Sequence, residues 1–199
     1  MISIRALQSL FVDIDYVKTP EHEAASVAIS TAVPFEEHLT EQQVAERVTL
    51  WRTHTEVVHA QVLAGMASLD KKAEEAFKFS ASLVTALVAV TFAAQARLSA
   101  WFMLAMSFWL VAVFVFALMR RGMSVPGLPS AQKVRDRLFY PDSYDRWMTE
   151  VIHLLSVEVR LMCDVRSQQL NLGIAMLMVG LVFLAMHVAS LYFRMTPAT

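Results

Sequence analysis

Cysteine is almost missing from this sequence: Cys163 stands alone, so no intrachain disulfide can close and no Cys-x-x-Cys metal or redox pair exists. A reducing compartment is compatible with that. Glycine is scarce too. Its five residues are too scattered to cradle a phosphate, and there is no P-loop, no GxGxxG and no GxSxG. Neither sign of charge dominates: 17 Lys and Arg stand against 18 Asp and Glu, a formal net charge of -1. That balance lacks the basic surface that phosphate-backbone contacts require, which sets nucleic acid aside as a partner. Histidine numbers six, but His54 and His59 are spaced off the i, i+4 pattern of a helical metal pair and no HExxH occurs, so no metal site is expected. With no enzyme signature, neither catalysis nor a cofactor is expected.

What is abundant is apolar surface. Hydrophobic residues make up 56% of the chain and the mean hydropathy is +0.47, an excess that a bilayer hides more readily than one small core. Its distribution gives three runs. Phe79 to Ala94 is uncharged and reaches about 18 residues if Phe77 and a snorkelling Lys78 are admitted. Leu98 to Met119 holds 22 uncharged residues, with Trp101 near one end, where tryptophan suits headgroup depth. Leu172 to Phe193 contains His187 as its one side chain that ionises near neutral pH, with Tyr192 at its far end. The expected class is therefore an all-α membrane protein with three transmembrane helices, and no signal peptide is read at its start.

Arg97 is the one basic residue between the first two runs, whereas Lys71, Lys72 and Lys78 precede them and eight Lys or Arg lie between the second and third. The positive-inside tendency then puts the N-terminus and residues 120–171 in the cytoplasm and the short tail outside. For a bacterial chain that means a multi-pass protein of the inner membrane. Arg97 in the hairpin turn argues against a selective calcium or sodium channel, whose filters use acidic rings. The twelve methionines fall mostly in or beside the runs, where flexible packing accounts for them.

Thr40-Glu41-Gln42-Gln43 has the form of a capping box, which starts a helix. Beyond it, Val44, Val48, Trp51, Thr55, Val58, Val62, Met66 and Leu69 recur at steps of three and four and form one narrow stripe. A long amphipathic helix from the cytoplasm into the first span follows. After the Pro/Gly turn SVPGLPS comes a short amphipathic piece, SAQKVRDRLF, and Pro141-Asp142-Ser143 offers a new helix start. Trp147, Val151, Leu154, Leu161 and Val165 then mark a second stripe on a helix continuing into span three. The division expected is 1–39 as a poorly defined N-terminal segment, 40–78 as cytoplasmic helix, 79–119 as transmembrane hairpin, 120–171 as cytoplasmic helical region, 172–194 as the last span and 195–199 as tail. Within the first segment, VDIDYV and SVAIST alternate like strands.

Three groups of residues are candidates for function. The stripe Val48, Trp51, Val58, Val62 and Met66 could pack between subunits or against the second long helix of the same chain. His187 lies in a span, where an ionisable group is costly; it is either a polar site or a neutral imidazole near the outer interface. Asp70, Lys72 and Ala73 sit at the membrane boundary, where Asp70 and Lys72 could hold or release the hairpin, or simply pair on the helix surface with Lys72 reaching headgroups.

Asp70-Lys71-Lys72-Ala73, placed just before the first span, fits an Asp-x-Lys-Ala pattern, and with it the layout resembles the Pycsar-type transmembrane effectors of bacterial antiphage defence. The shared order is a helix leading into a tight two-span hairpin, a cytoplasmic stretch of about fifty residues, and a helix feeding a last span; it covers roughly residues 44–194. The resemblance implies a membrane effector that assembles on a cytoplasmic signal, disrupts the inner membrane and stops growth of the infected cell. Such proteins are often governed by a cyclic nucleotide through an attached sensor. This chain departs there, because its first 40 residues are too few for that fold and carry no phosphate cassette, so a partner protein or another signal would gate it. The expected partners are the bilayer, further copies of the chain and a cytoplasmic signalling partner or nucleotide signal. The alternative is a structural or accessory membrane subunit that docks a cytoplasmic partner.

Overall fold

In a computed structural model, residues 4–8, 10–11, 19–31, 40–93, 99–120, 129 and 144–195 are described. They form five helices: α1 (Ile4–Gln8), α2 (Pro20–Thr31), α3 (Glu41–Ala93), α4 (Ala100–Met119) and α5 (Tyr144–Met195). Among the described residues there is no strand. Two compact units divide the chain, one comprising Met1–Val12, Ser68–Gly122 and Val165–Thr199, the other Asp13–Ala67 and Met123–Asp164.

The starts of α2 and α3 have chemical causes. Thr19 caps α2, its hydroxyl accepting from the His22 amide at 3.4 Å, with Pro20 at the first helical position and Glu21 and Glu23 in the first turn, where a fixed φ and negative charge both favour initiation. That start overturns the strand reading of SVAIST: residues 26–31 lie in α2, because a capped helix propagates through β-branched residues whose local preference is weak. VDIDYV lies outside the described residues. For α3 the capping box is present in both directions, Gln43 accepting from the Thr40 amide at 3.0 Å and Thr40 from the Gln43 amide at 3.4 Å. Helix α3 then runs unbroken for 53 residues and α5 for 52. The hairpin loop and, apart from Pro129, the Pro/Gly turn with the amphipathic piece after it lie outside the described residues.

In the second unit, α3 and α5 meet through Met66, Val159 and Met162, with Val62 and Cys163 against them. The Cys163 thiol donates to the Val62 carbonyl at 3.7 Å. Ser156 gives its proton to the Ile152 carbonyl at 2.7 Å, so the 3.3 Å contact with His59 Nδ1 must be an imidazole N–H donating to the serine oxygen. His22 of α2 lies 3.0 Å from Glu158 of α5.

The buried face of α5 differs from the expected one. Of Trp147, Val151, Leu154, Leu161 and Val165, only Val165 is buried; the other buried positions up to Gln169 are Thr149, Ile152, Leu155, Ser156, Glu158, Val159, Met162, Arg166 and Gln169. Five of these are polar, and a reading by hydrophobic period passes over buried polar residues. His153, half-buried on the same helix, has its pKa pushed below the ordinary 6.5 by burial and then by Arg160. The unfolded chain therefore binds this proton more readily. The associated stability is complete above pH 6.5 and declines as pH falls through that value toward the lower folded one. A thermal-melt series across that range should flatten in His153→Gln; an unchanged slope would show that His153 does not set it.

In the first unit, Ala73, Ala112, Val115, Phe116, Met119 and Leu170 form the core together with Leu10. Helices α4 and α5 run antiparallel, in rungs seven residues apart on both. Phe102 packs on His187, with centroids 5.4 Å apart. Trp109 and Phe116 fill the notches left by Gly180 and Gly173, where an added Cβ would stand 2.2 Å and 2.4 Å from the rings. The Trp109 indole N–H also donates to the Leu177 carbonyl at 3.0 Å. Small residues that let a partner ring approach the backbone are the usual currency of helix pairs in lipid.

Helices α4 and α5 are long and apolar enough to cross a membrane, and they leave large apolar side chains such as Leu110, Phe114, Met178, Val182 and Val188 exposed. The first expected run coincides with the end of α3 and is not one of these two. Its hydroxyls all turn back on their own helix: Ser80 donates to the Ala76 carbonyl at 2.8 Å, Ser82 to Lys78 at 2.8 Å, Thr85 to Ala81 at 2.9 Å and Thr91 to Leu87 at 2.7 Å.

Candidate functional site

Three helices of the first unit meet in a polar junction. Asp70, Ala73 and Glu74 come from α3, Met119 and Arg120 from the end of α4, and Arg166 from α5; together they line a cleft of about 180 Å³. The last carbonyls of a helix lack intrahelical partners and carry the negative end of its dipole. Arg166 answers both needs by donating from Nη1 to the Met119 carbonyl. Its side chain is only 3% exposed, while the Asp70 carboxylate, 3.7 Å from Nε, is 50% exposed. The hydrogen bond to α4 is thus shielded from water and the ion pair is half open to it.

Arg120 closes the other side. Its guanidinium lies 5.1 Å from the centre of the Phe77 ring, a cation–π contact, and its own amide caps α4 through the Phe116 and Ala117 carbonyls at 3.2 Å each. Glu74 meets Lys78 at 2.6 Å, one turn on, and the Lys78 ammonium holds the Glu74 carboxyl below its ordinary pKa.

The structure brings Asp70 and Ala73 of the Asp-x-Lys-Ala stretch together here. Ala73 is buried in the core with Ala112, Val115, Phe116 and Met119 of α4 and Leu170 of α5. Lys72 is exposed and does not line the cleft. Arg166 was not singled out from sequence. The hydrophobic period does not mark it; the structure places it in the inner register with Val159, Met162 and Gln169, just ahead of an apolar run.

Of the α3 stripe, Met66 is buried and Val48, Trp51, Val58 and Val62 are half-buried, with Val62 and Met66 packed on α5 of the same chain. His187 is buried, and its Nδ1 lies 2.6 Å from the Ser99 hydroxyl. Ser99 is the N-cap of α4 and accepts from the Phe102 amide at 3.2 Å, so its remaining proton and lone pair can serve either a neutral or a protonated imidazole. The pair ties the start of α4 to α5. Among the described residues, no group of three His, Cys, Asp or Glu side chains is arranged to hold a metal ion. No family model, curated protein or solved structure matches the chain.

Proposed function

We propose that this protein is a membrane-disrupting effector of bacterial antiphage defence, which assembles on an infection signal and breaches the inner membrane. In this reading three spans, Phe79–Ala94, Leu98–Met119 and Leu172–Phe193, cross the bilayer with the N-terminus in the cytoplasm and the tail outside. The apolar faces of α4 and α5 and the self-satisfied hydroxyls of α3 support it. The observation that carries the reading is the polar junction. Asp70 and Ala73 meet Arg166 and the end of α4 where the apolar runs of α3 and α5 begin and that of α4 ends, a position from which a change at the junction would bear on all three helices. The signal itself would come from a partner protein or a nucleotide.

The test is membrane potential, read with a voltage-sensitive dye in bacteria expressing the chain, with and without phage. Wild type should depolarise the cells in at least one condition, and Asp70→Asn at equal abundance should shift the extent or onset. Unchanged potential with wild type in both conditions, with its natural partners present, would sink the effector reading in favour of an accessory membrane subunit.

A further inference from the structure

Helix α1 is short, and the turn after it is closed by the Leu10 amide donating to the Leu7 carbonyl at 3.3 Å and the Phe11 amide to the Gln8 carbonyl at 3.0 Å. Its apolar residues are divided. Leu10 is buried in one core with Ala73, Met119 and Leu170, whereas Ile4, Leu7 and Phe11, spaced at steps of three and four, are 74%, 45% and 68% exposed. Leu10 also fixes the level at which those three lie. Trp109 packs at Gly180 and Phe116 at Gly173, and the same antiparallel register brings Met119 level with Leu170. Met119 is the last residue of α4, and Leu172 opens the uncharged run of α5. Charge begins just past that level, with Arg120 after α4 and Arg166 one turn before Leu170. Helix α1 is therefore held where both apolar helices pass from uncharged to charged sequence.

We infer that the exposed face of α1 is a lipid anchor: Ile4, Leu7 and Phe11 enter the boundary between acyl chains and headgroups, on the side of the bilayer where Arg120 and Arg166 lie. The inference rests on the membrane insertion of α4 and α5 and not on effector activity. Helix α4 is 20 residues long, about 30 Å at 1.5 Å per residue, which is the thickness of a hydrocarbon core. The phase that covers its exposed Leu110 and Phe114, and Met178 and Val182 of α5, thus reaches its edge at Met119, the level of α1. An apolar face at that edge is continuous with the lipid those helices need, and a side chain pointing outward there meets lipid before it meets a soluble partner. The segment has the form of an interfacial anchor, with large apolar side chains on a piece too short to cross.

The test places one environment-sensitive fluorophore on the full chain in vesicles of phosphatidylethanolamine and phosphatidylglycerol. Cys163→Ser clears the native thiol and keeps a donor for the Val62 carbonyl. Phe11→Cys, Met178→Cys or Glu23→Cys then carries the label, Glu23 of α2 being the control; all three positions are exposed, so the core is undisturbed. Lipid brominated near the ester end of its chains should quench and blue-shift the Phe11 label, as it does a side chain about 5–10 Å into the headgroup–acyl boundary. Aqueous iodide should quench that label far less than the one at Glu23. Equal iodide quenching at Phe11 and Glu23 would overturn the inference. Shielding from iodide without quenching by brominated lipid would also overturn it, and would mean that protein covers the face. The Met178 label, read with lipid brominated near the chain ends, reports the insertion itself. Quenching there without quenching at Phe11 removes the anchor and leaves insertion standing, whereas no quenching at either position removes both. Neither result depends on depolarisation, so effector activity stands or falls separately.

Discussion

Arg166→Ala should destabilise the protein by ~2–4 kcal/mol, whereas Asp70→Asn should cost less than ~1 kcal/mol. The difference comes from burial. Arg166 is shielded and donates a charge-assisted hydrogen bond to the Met119 carbonyl, and its stem packs among the helices, so alanine removes a donor from the end of α4 and leaves a void. Asp70 is half exposed and 3.7 Å away, so water screens most of what the ion pair contributes. Arg166→Lys should fall between, because an ammonium lacks the planar fork that reaches both groups. Thermal unfolding in detergent micelles at matched protein-to-detergent ratio reads all three. If Asp70→Asn cost as much as Arg166→Ala, the carboxylate would hold α3 through something beyond this pair.

The second large effect concerns the glycine notches. Gly180→Ala places a methyl group 2.2 Å from the Trp109 indole nitrogen, and Trp109 is fully buried, so the ring cannot swing clear. The indole must lose its bond to the Leu177 carbonyl or α4 must move out. Overpacking of this kind costs about 1–3 kcal/mol, and the lost hydrogen bond adds about 1 kcal/mol. Gly173→Ala, facing Phe116 at 2.4 Å, should behave alike but without the hydrogen-bond component. Trp109→Leu combined with Gly180→Ala should recover part of the loss, and the double-mutant cycle would show coupling between the two positions. Additive losses would mean that α4 and α5 are not held by this interlock.

Much of the architecture was legible because local chemistry and burial agree in it. The Thr40–Gln43 box, the long α3 stripe and the apolar runs of α4 and α5 are signals that tertiary context does not override. The inner face of α5 was not legible. Its register includes Thr149, Ser156, Glu158, Arg166 and Gln169, polar residues that a hydrophobic period counts against burial. The site was half legible for the same reason. Asp70 and Ala73 stood out as a short pattern, but Arg166, which answers Asp70 from 96 positions away, became visible only when α3 and α5 were side by side. The strand reading of SVAIST failed because alternation over six residues is weaker evidence than the cap, proline and acidic turn that precede it.

The hydroxyls at the end of α3 bear on how that stretch would enter a lipid phase. Ser80, Ser82, Thr85 and Thr91 lower the apparent greasiness of a run that is already short. Each, however, has handed its proton to a carbonyl of the preceding turn, and a hydroxyl so engaged strips off little bound solvent during partitioning. In a lipid phase the exposed Ser82 and Thr85 would behave more like an alanine and a valine than like alcohols, while Ser80 is already buried within the protein. The run is therefore more lipophilic than its letters say.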